Sequence, residues 1–138
     1  MRSRRWPAVV AGMGLMLAGA APAADGLPGK VLTGAEIRAA LLGNTAYGRA
    51  PSGERWTMWI APDGKMTVRG TTLNGTMFGD FGTGVVEGDR WCVVWEQLRE
   101  GRRACLTVRQ DGETFRNYAA DGHLESTYTI RPGNAEGM

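Results

Sequence analysis

The chain has little of what catalytic and cofactor sites are usually built from. Of its 138 residues two are cysteine and one is histidine, too few for the roughly four ligands that a structural zinc ion takes. The cysteines, Cys92 and Cys105, are far from the C-x-x-C spacing of redox centres. The glycine-rich stretch Gly75 to Gly84 lacks the G-x-G-x-x-G order that dinucleotides require. Asp80-Phe81-Gly82 matches a kinase magnesium motif, but no phosphate loop, strand lysine or HRD segment accompanies it. No apolar run reaches the ~20 residues of a membrane span. No lysine-arginine stripe of the kind that binds nucleic acid is present, and no repeat of 20–50 residues that would indicate a propeller or solenoid. No cofactor and no metal is implied.

What is present begins with a targeting pattern. Arg2, Arg4 and Arg5 precede an apolar stretch, Ala8 to Ala21, and Ala21-Pro22-Ala23 fits a secretory cleavage site. The expected organisation is a signal peptide over 1–23 and a single domain over 24–138, periplasmic or secreted, with no membrane span after cleavage. No cysteine stands at the cleavage region, so no lipid anchor is expected. Three of the 16 basic residues lie in the signal and all 14 acidic ones follow it, leaving the mature domain at net charge −1. The basic isoelectric point of the whole chain therefore misleads about partners.

Ala24 to Leu32 reads as a mobile Gly/Pro lead-in. Thr33 and Glu36 then stand at capping-box spacing, Ile37, Ala40 and Leu41 form an apolar stripe, and Gly43-Asn44 supplies a left-handed stop. This predicts one short helix, Gly34 to Leu42. From Thr45 the period changes to two. Trp56, Met58 and Ile60 alternate with polar residues, as do Met66 and Val68, and later Leu124, Tyr128 and Ile130 against Glu125, Thr127, Thr129 and Arg131. Turn pairs such as Asp63-Gly64, Asn74-Gly75, Asp111-Gly112 and Asp121-Gly122 punctuate these runs at hairpin intervals. Eight or nine strands are expected. One short helix cannot cover so wide a sheet, whereas closure buries its apolar face and removes its edges. The expected fold is mainly β: a small up-and-down antiparallel β-barrel with one N-terminal helix, an open curved sheet being the alternative. The glycines of 75–84 read as bulges or bends at barrel corners.

A hairpin that places Cys92 opposite Cys105 brings their Cα atoms within disulfide range, and export makes a bridge the default. That register pairs Val94 with Arg103 and Glu96 with Gly101, and leaves Gln97 to Glu100 as the loop. The bridge falls on the polar outer face, with Trp91 and Trp95 pointing inward. His123, after a turn, is expected in solvent. Candidate binding residues are the aromatic Trp59, Trp91, Trp95 and Tyr118, Trp59 because it stands on an otherwise polar face. No residue is singled out as catalytic.

Three stretches carry a resemblance: "LTGAEIRAALLGNTAYG" (32–48), "APDGK" (61–65) and "DFGTGVVEGDRWCVVWEQLREGRRACLTVRQDGETFRNYAADGHL" (80–124). In these the chain resembles a family of small secreted proteobacterial proteins classed as a domain of unknown function. The resemblance implies a lipocalin-like barrel and brings no catalytic residues. It departs at Gly84, where the family pattern has an aromatic residue.

The expected function is a non-enzymatic binding or interaction module of the bacterial envelope. Its expected partner is an envelope protein, an envelope polymer or a small apolar ligand. A domain this small has little interior to spare, which ranks surface contact above a buried ligand. The alternatives are a small hydrolase using surface carboxylates, marked by two carboxylates or His123 in one concavity, and a purely structural envelope protein.

Overall fold

The computed structural model describes residues 26–138, and the expected signal peptide lies outside the described residues. Thr33 caps helix α1 (Gly34–Leu41) through both arms of the capping box. Its hydroxyl accepts the Glu36 amide at 3.2 Å, and the Glu36 carboxylate accepts the Thr33 amide at 3.1 Å. The helix ends one residue before the expected Leu42, and Gly43, with φ 78°, turns the chain into the next strand.

The lead-in is not mobile throughout. Lys30–Val31 forms a short strand, β1, and Leu32 is 1% exposed. Edge hydrogen bonding and an apolar anchor outweigh the Gly/Pro composition on which the contrary expectation rested.

The remaining strands are β2 (Asn44–Arg49), β3 (Arg55–Ile60), β4 (Lys65–Thr71), β5 (Met77–Glu87), β6 (Arg90–Trp95), β7 (Ala104–Asp111), β8 (Thr114–Tyr118) and β9 (Leu124–Pro132). Each pairs antiparallel with the next, and β2 pairs with β9, so β2 to β9 close into an eight-stranded up-and-down barrel. β1 adds to the outer half of β7 at Lys30↔Gln110 and Val31↔Arg109. Closure leaves no free edge among these eight strands.

Period-two patterning decides the faces. Ala46, Ile60, Met66, Val68, Trp91, Val93, Trp95, Leu106, Val108, Phe115 and Tyr128 are buried in one cluster, which Ile37 and Leu41 of the helix and Leu32 complete. The helix therefore closes the end of the barrel where β2 begins and β3 ends.

The strand glycines are not bulges. Both ladders of β5 run without a register shift, and a shift occurs only between Asn117 and Tyr118, where β8 meets β9. Gly48, Gly70, Gly82 and Gly84 instead make room for rings. A Cβ on them would collide with Trp56, Phe78, Trp95 and Trp91 respectively. The aromatic that the family pattern leads one to expect at position 84 has no room there, because the Trp91 indole fills it.

Candidate binding cavities of the barrel

Cys92 and Cys105 are paired across β6 and β7 and joined by a disulfide, with Cα atoms 4.0 Å apart. The bridge is on the outer side, as the alternation requires; its Cys92 half is buried, 2% exposed beside the Glu87–Arg103 ion pair, while Cys105 is half-buried. The inner hairpin pairs do not form. Pairing of β6 with β7 stops at Val93↔Ala104, and the chain passes through a 3₁₀ turn, Leu98–Gly101. Asp80 on β5 is the cause. Its carboxylate accepts the amides of Gln97 at 3.0 Å and Leu98 at 2.8 Å, while the Glu96 amide donates to the Phe81 carbonyl. The connection is thereby held to β5 rather than folded into a tight hairpin. Burial pushes the Asp80 carboxyl up, but the amides of Leu98, Gln97 and Phe81 outweigh it and hold it below the usual range. Asp80 thus has a structural role, holding the amides of Phe81, Gln97 and Leu98. Arg99 and Glu100 in this loop both adopt left-handed backbone, with φ 55° and 56°.

The end of the barrel away from the helix is open. From it a cavity of about 440 Å³ runs into the interior, within the ~300–1,000 Å³ of small-molecule sites. The expectation of little spare interior is overturned, because the in-turned glycines carry no side chain and the rings lie along the wall. Leu41 and Ile60 lie toward its floor, Met58, Trp91, Val93 and Trp95 are on its walls, and Ser52, Glu54, Leu98, Arg99, Glu125 and Ser126 form its mouth. Halfway in stands Asn117, 8% exposed. Its side-chain oxygen accepts the Tyr128 hydroxyl at 2.7 Å, and its amide nitrogen has no acceptor among the described residues. No buried side-chain nitrogen or oxygen among the described residues lacks a partner. That nitrogen is therefore in contact with the open volume of the cavity.

The mouth is charged. Arg99 donates to Glu125 at 2.5 Å, and His123 Nε2 lies 2.8 Å from the other Glu125 oxygen. Glu125, expected on the outer face, has no ladder partner at the β8–β9 register shift and stands at the rim within this network. Burial raises the Glu125 carboxyl, but the Arg99 hydrogen bond, with its charge and that of His123, leaves it below the usual range. Ser52 lowers Glu54 by donating to it. His123 is pulled above its usual value, first by its hydrogen bond to Asp121 and then, against some desolvation, by the charges of Asp121 and Glu125. Its side chain is 59% exposed. Two carboxylates share one concavity, the arrangement the hydrolase reading asks for. Both carboxyls lie below the usual carboxylate range, whereas the acid in glycosidic cleavage is a carboxyl raised above it.

A second concavity, about 690 Å³, lies on the outer wall of β2, β3, β4 and β9. Arg49, Arg55 and Arg69 line it together with threonines, and no carboxylate is among its described lining residues. Trp56 and Tyr128 line both cavities, with rings 5.8 Å apart, where Gly48 leaves the wall only a backbone thick.

Of the four expected binding residues, Trp91 and Trp95 lie together on the interior cavity. Trp59 is half-buried on the outer wall between Thr45 and Thr67, and Tyr118 is buried and lines neither cavity. Sequence reasoning missed Phe78, Asn117, Glu54 and the three outer arginines. The arginines had a signal: each stands at an outward position near the end of a strand, and correct pairing brings them together. Asn117 had none, since its place depends on the register of β8.

Comparison with protein-family models, curated proteins and solved structures finds no match to this chain.

Proposed function

We propose that the protein is an exported binding protein whose barrel interior takes a small, mainly apolar molecule bearing one hydrogen-bond acceptor. The observation that carries this reading is the aromatic-walled cavity into whose volume the Asn117 amide can donate. Apolar walls supply affinity by removing ligand surface from water, and one placed donor supplies orientation. A ligand with no acceptor would leave that donor without a partner, at about 1–3 kcal/mol. The charged mouth keeps the opening wet and discourages entry of bulky apolar chain ends. Export is supported by the signal-like first residues and by the disulfide. No described helix is long and apolar enough to cross a membrane. The resemblance to small secreted proteobacterial proteins of unknown function points the same way.

The test is a titration followed by tryptophan fluorescence, using straight-chain and aromatic ketones beside hydrocarbons of matched size. Saturable, one-to-one quenching by the ketones is expected. It should be lost in Ser126→Phe, which fills the mouth, and weakened in Asn117→Asp, which keeps the Tyr128 bond and removes the donor. No saturable response, or the same response from Ser126→Phe, overturns the proposal.

A further inference from the structure

We infer that the outer groove of β2, β3, β4 and β9 is a second binding site, for a glycan chain that carries carboxylates. Three observations converge on it. The first is charge segregation. The domain after the expected signal is slightly acidic, yet this groove collects Arg49, Arg55 and Arg69 with no aspartate or glutamate among its described lining residues.

The second is an unfavourable pairing. Arg49 stands directly opposite Arg55 in the β2–β3 ladder, and neither guanidinium has a hydrogen bond or ion pair to another side chain among the described residues. Like charges directly opposite each other in a ladder destabilise it. An anion between them would reverse the sign, and the flat guanidinium forks suit the two oxygens of a carboxylate.

The third is a carboxylate from the chain itself at the edge of the groove. The tail after β9 folds back over β2, held by Thr45, whose hydroxyl donates to the Gly133 carbonyl at 2.7 Å and accepts the Ala135 amide at 3.0 Å. This sets Glu136 against the groove, where it accepts the Tyr47 hydroxyl at 2.6 Å and lies 3.6 Å from Arg69. Arg131 adds a further cation, 5.5 Å over the Tyr47 ring. Glu136 occupies the edge and leaves Arg49 and Arg55 unfilled.

The rest of the lining favours a sugar over an acidic peptide. Thr57, Thr127 and Thr129 present hydroxyls that both donate and accept, which matches sugar hydroxyls. A protein partner usually brings an apolar anchor, and among the described lining residues the one large exposed aliphatic chain is Met77, 80% exposed. The site does not depend on a ligand in the barrel interior.

The experiment is calorimetric titration of the full chain with oligogalacturonate at low salt, beside a neutral malto-oligosaccharide of equal length and inorganic phosphate. Saturable binding of oligogalacturonate that weakens as salt rises is expected, with no binding of the neutral sugar and only weak competition by phosphate. Arg55→Gln should weaken binding about tenfold or more, as loss of a charge-assisted hydrogen bond implies. Glu136→Gln should strengthen it by freeing Arg69. An unchanged thermal midpoint in Arg55→Gln shows that the fold is intact. Absent binding, equal binding of the neutral sugar, phosphate competing as well as the oligomer, or weaker binding in Glu136→Gln each overturns the inference. The ketone titration reads the interior separately, so failure of one site is distinguishable from failure of the other.

Discussion

At the helix end of the barrel, Ile37, Leu41, Ile60 and Met66 are each at most 2% exposed, whereas at the open end Leu98 is 37% exposed and Arg99 and Glu100 hold left-handed backbone. The same eight strands reach both ends. What differs is what is set across them. A capped helix lies over one mouth, close enough that a Cβ on Gly34 would strike the Gly88 carbonyl. Across the other stands a loop drawn aside by Asp80. The closed end contributes stability through apolar burial and close contact. The open end gives up burial and keeps a cavity whose rim is fixed by polar contacts. A domain of this size has room for a cavity because its packing is concentrated at one end.

The sharpest test of this contrast is a pair of truncations. Ile37→Ala should cost about 2–5 kcal/mol, the range for a large aliphatic deleted from a tight core. Leu98→Ala should cost about 0.5 kcal/mol or less, as at other solvent-facing positions. Urea unfolding monitored by circular dichroism measures both, and equal costs would erase the distinction between the ends.

Next in size is the disulfide, which closes the segment carrying the open rim. Cys92→Ala with Cys105→Ala should lower stability by about 3 kcal/mol. Amide exchange should rise first in 94–103 and last in α1. Uniform acceleration would mean that the bridge holds the whole barrel rather than the rim.

Asp80→Ala removes the acceptor of the Gln97 and Leu98 amides and should cost about 1–3 kcal/mol. The folded Asp80 carboxyl lies below its usual value. Its contribution is therefore present above the unfolded value, about 3.9, and is lost as pH falls through the lower folded value. An acid titration of stability should show this loss in the parent chain and not in Asp80→Ala. A parallel loss in both would assign the acid sensitivity to another carboxylate.

The smallest effect is expected at His123. Its folded value is raised by Asp121 and Glu125, so its contribution is complete below about pH 6.5 and disappears as pH rises through the folded value. His123→Gln should lower the thermal midpoint slightly in mildly acidic buffer and not in alkaline buffer. Because the group is exposed, added salt should shrink the difference. A deficit that persists at high pH would point to packing instead of charge.

Much of the fold was legible because its signals are local. The Thr33–Glu36 box and Gly43 bound the helix within one residue, and the period-two runs sort inward from outward residues on most strands. Even the Cys92↔Cys105 register followed from counting across a hairpin. The loop beyond it did not, because Asp80, which draws the Gln97 and Leu98 amides to itself, comes from a strand 17 residues before Gln97. The glycines misled for a related reason. A glycine marks missing side-chain volume, and only its neighbour across the sheet shows whether the chain bends there or a ring fills the gap. The cavities were harder still, since Trp91 and Trp95 were identified as inward but nothing along the chain measures the space between them.

The sequence by itself determined the helix, the hairpin rhythm, the two faces of most strands and the sulfur pair, since each depends on residues close along the chain or on simple counting. Only the tertiary structure decided that the sheet closes, that one end is plugged and the other open, and that Arg49 meets Arg55. Those are properties of which strand lies beside which, and of how much volume remains once every side chain has been placed.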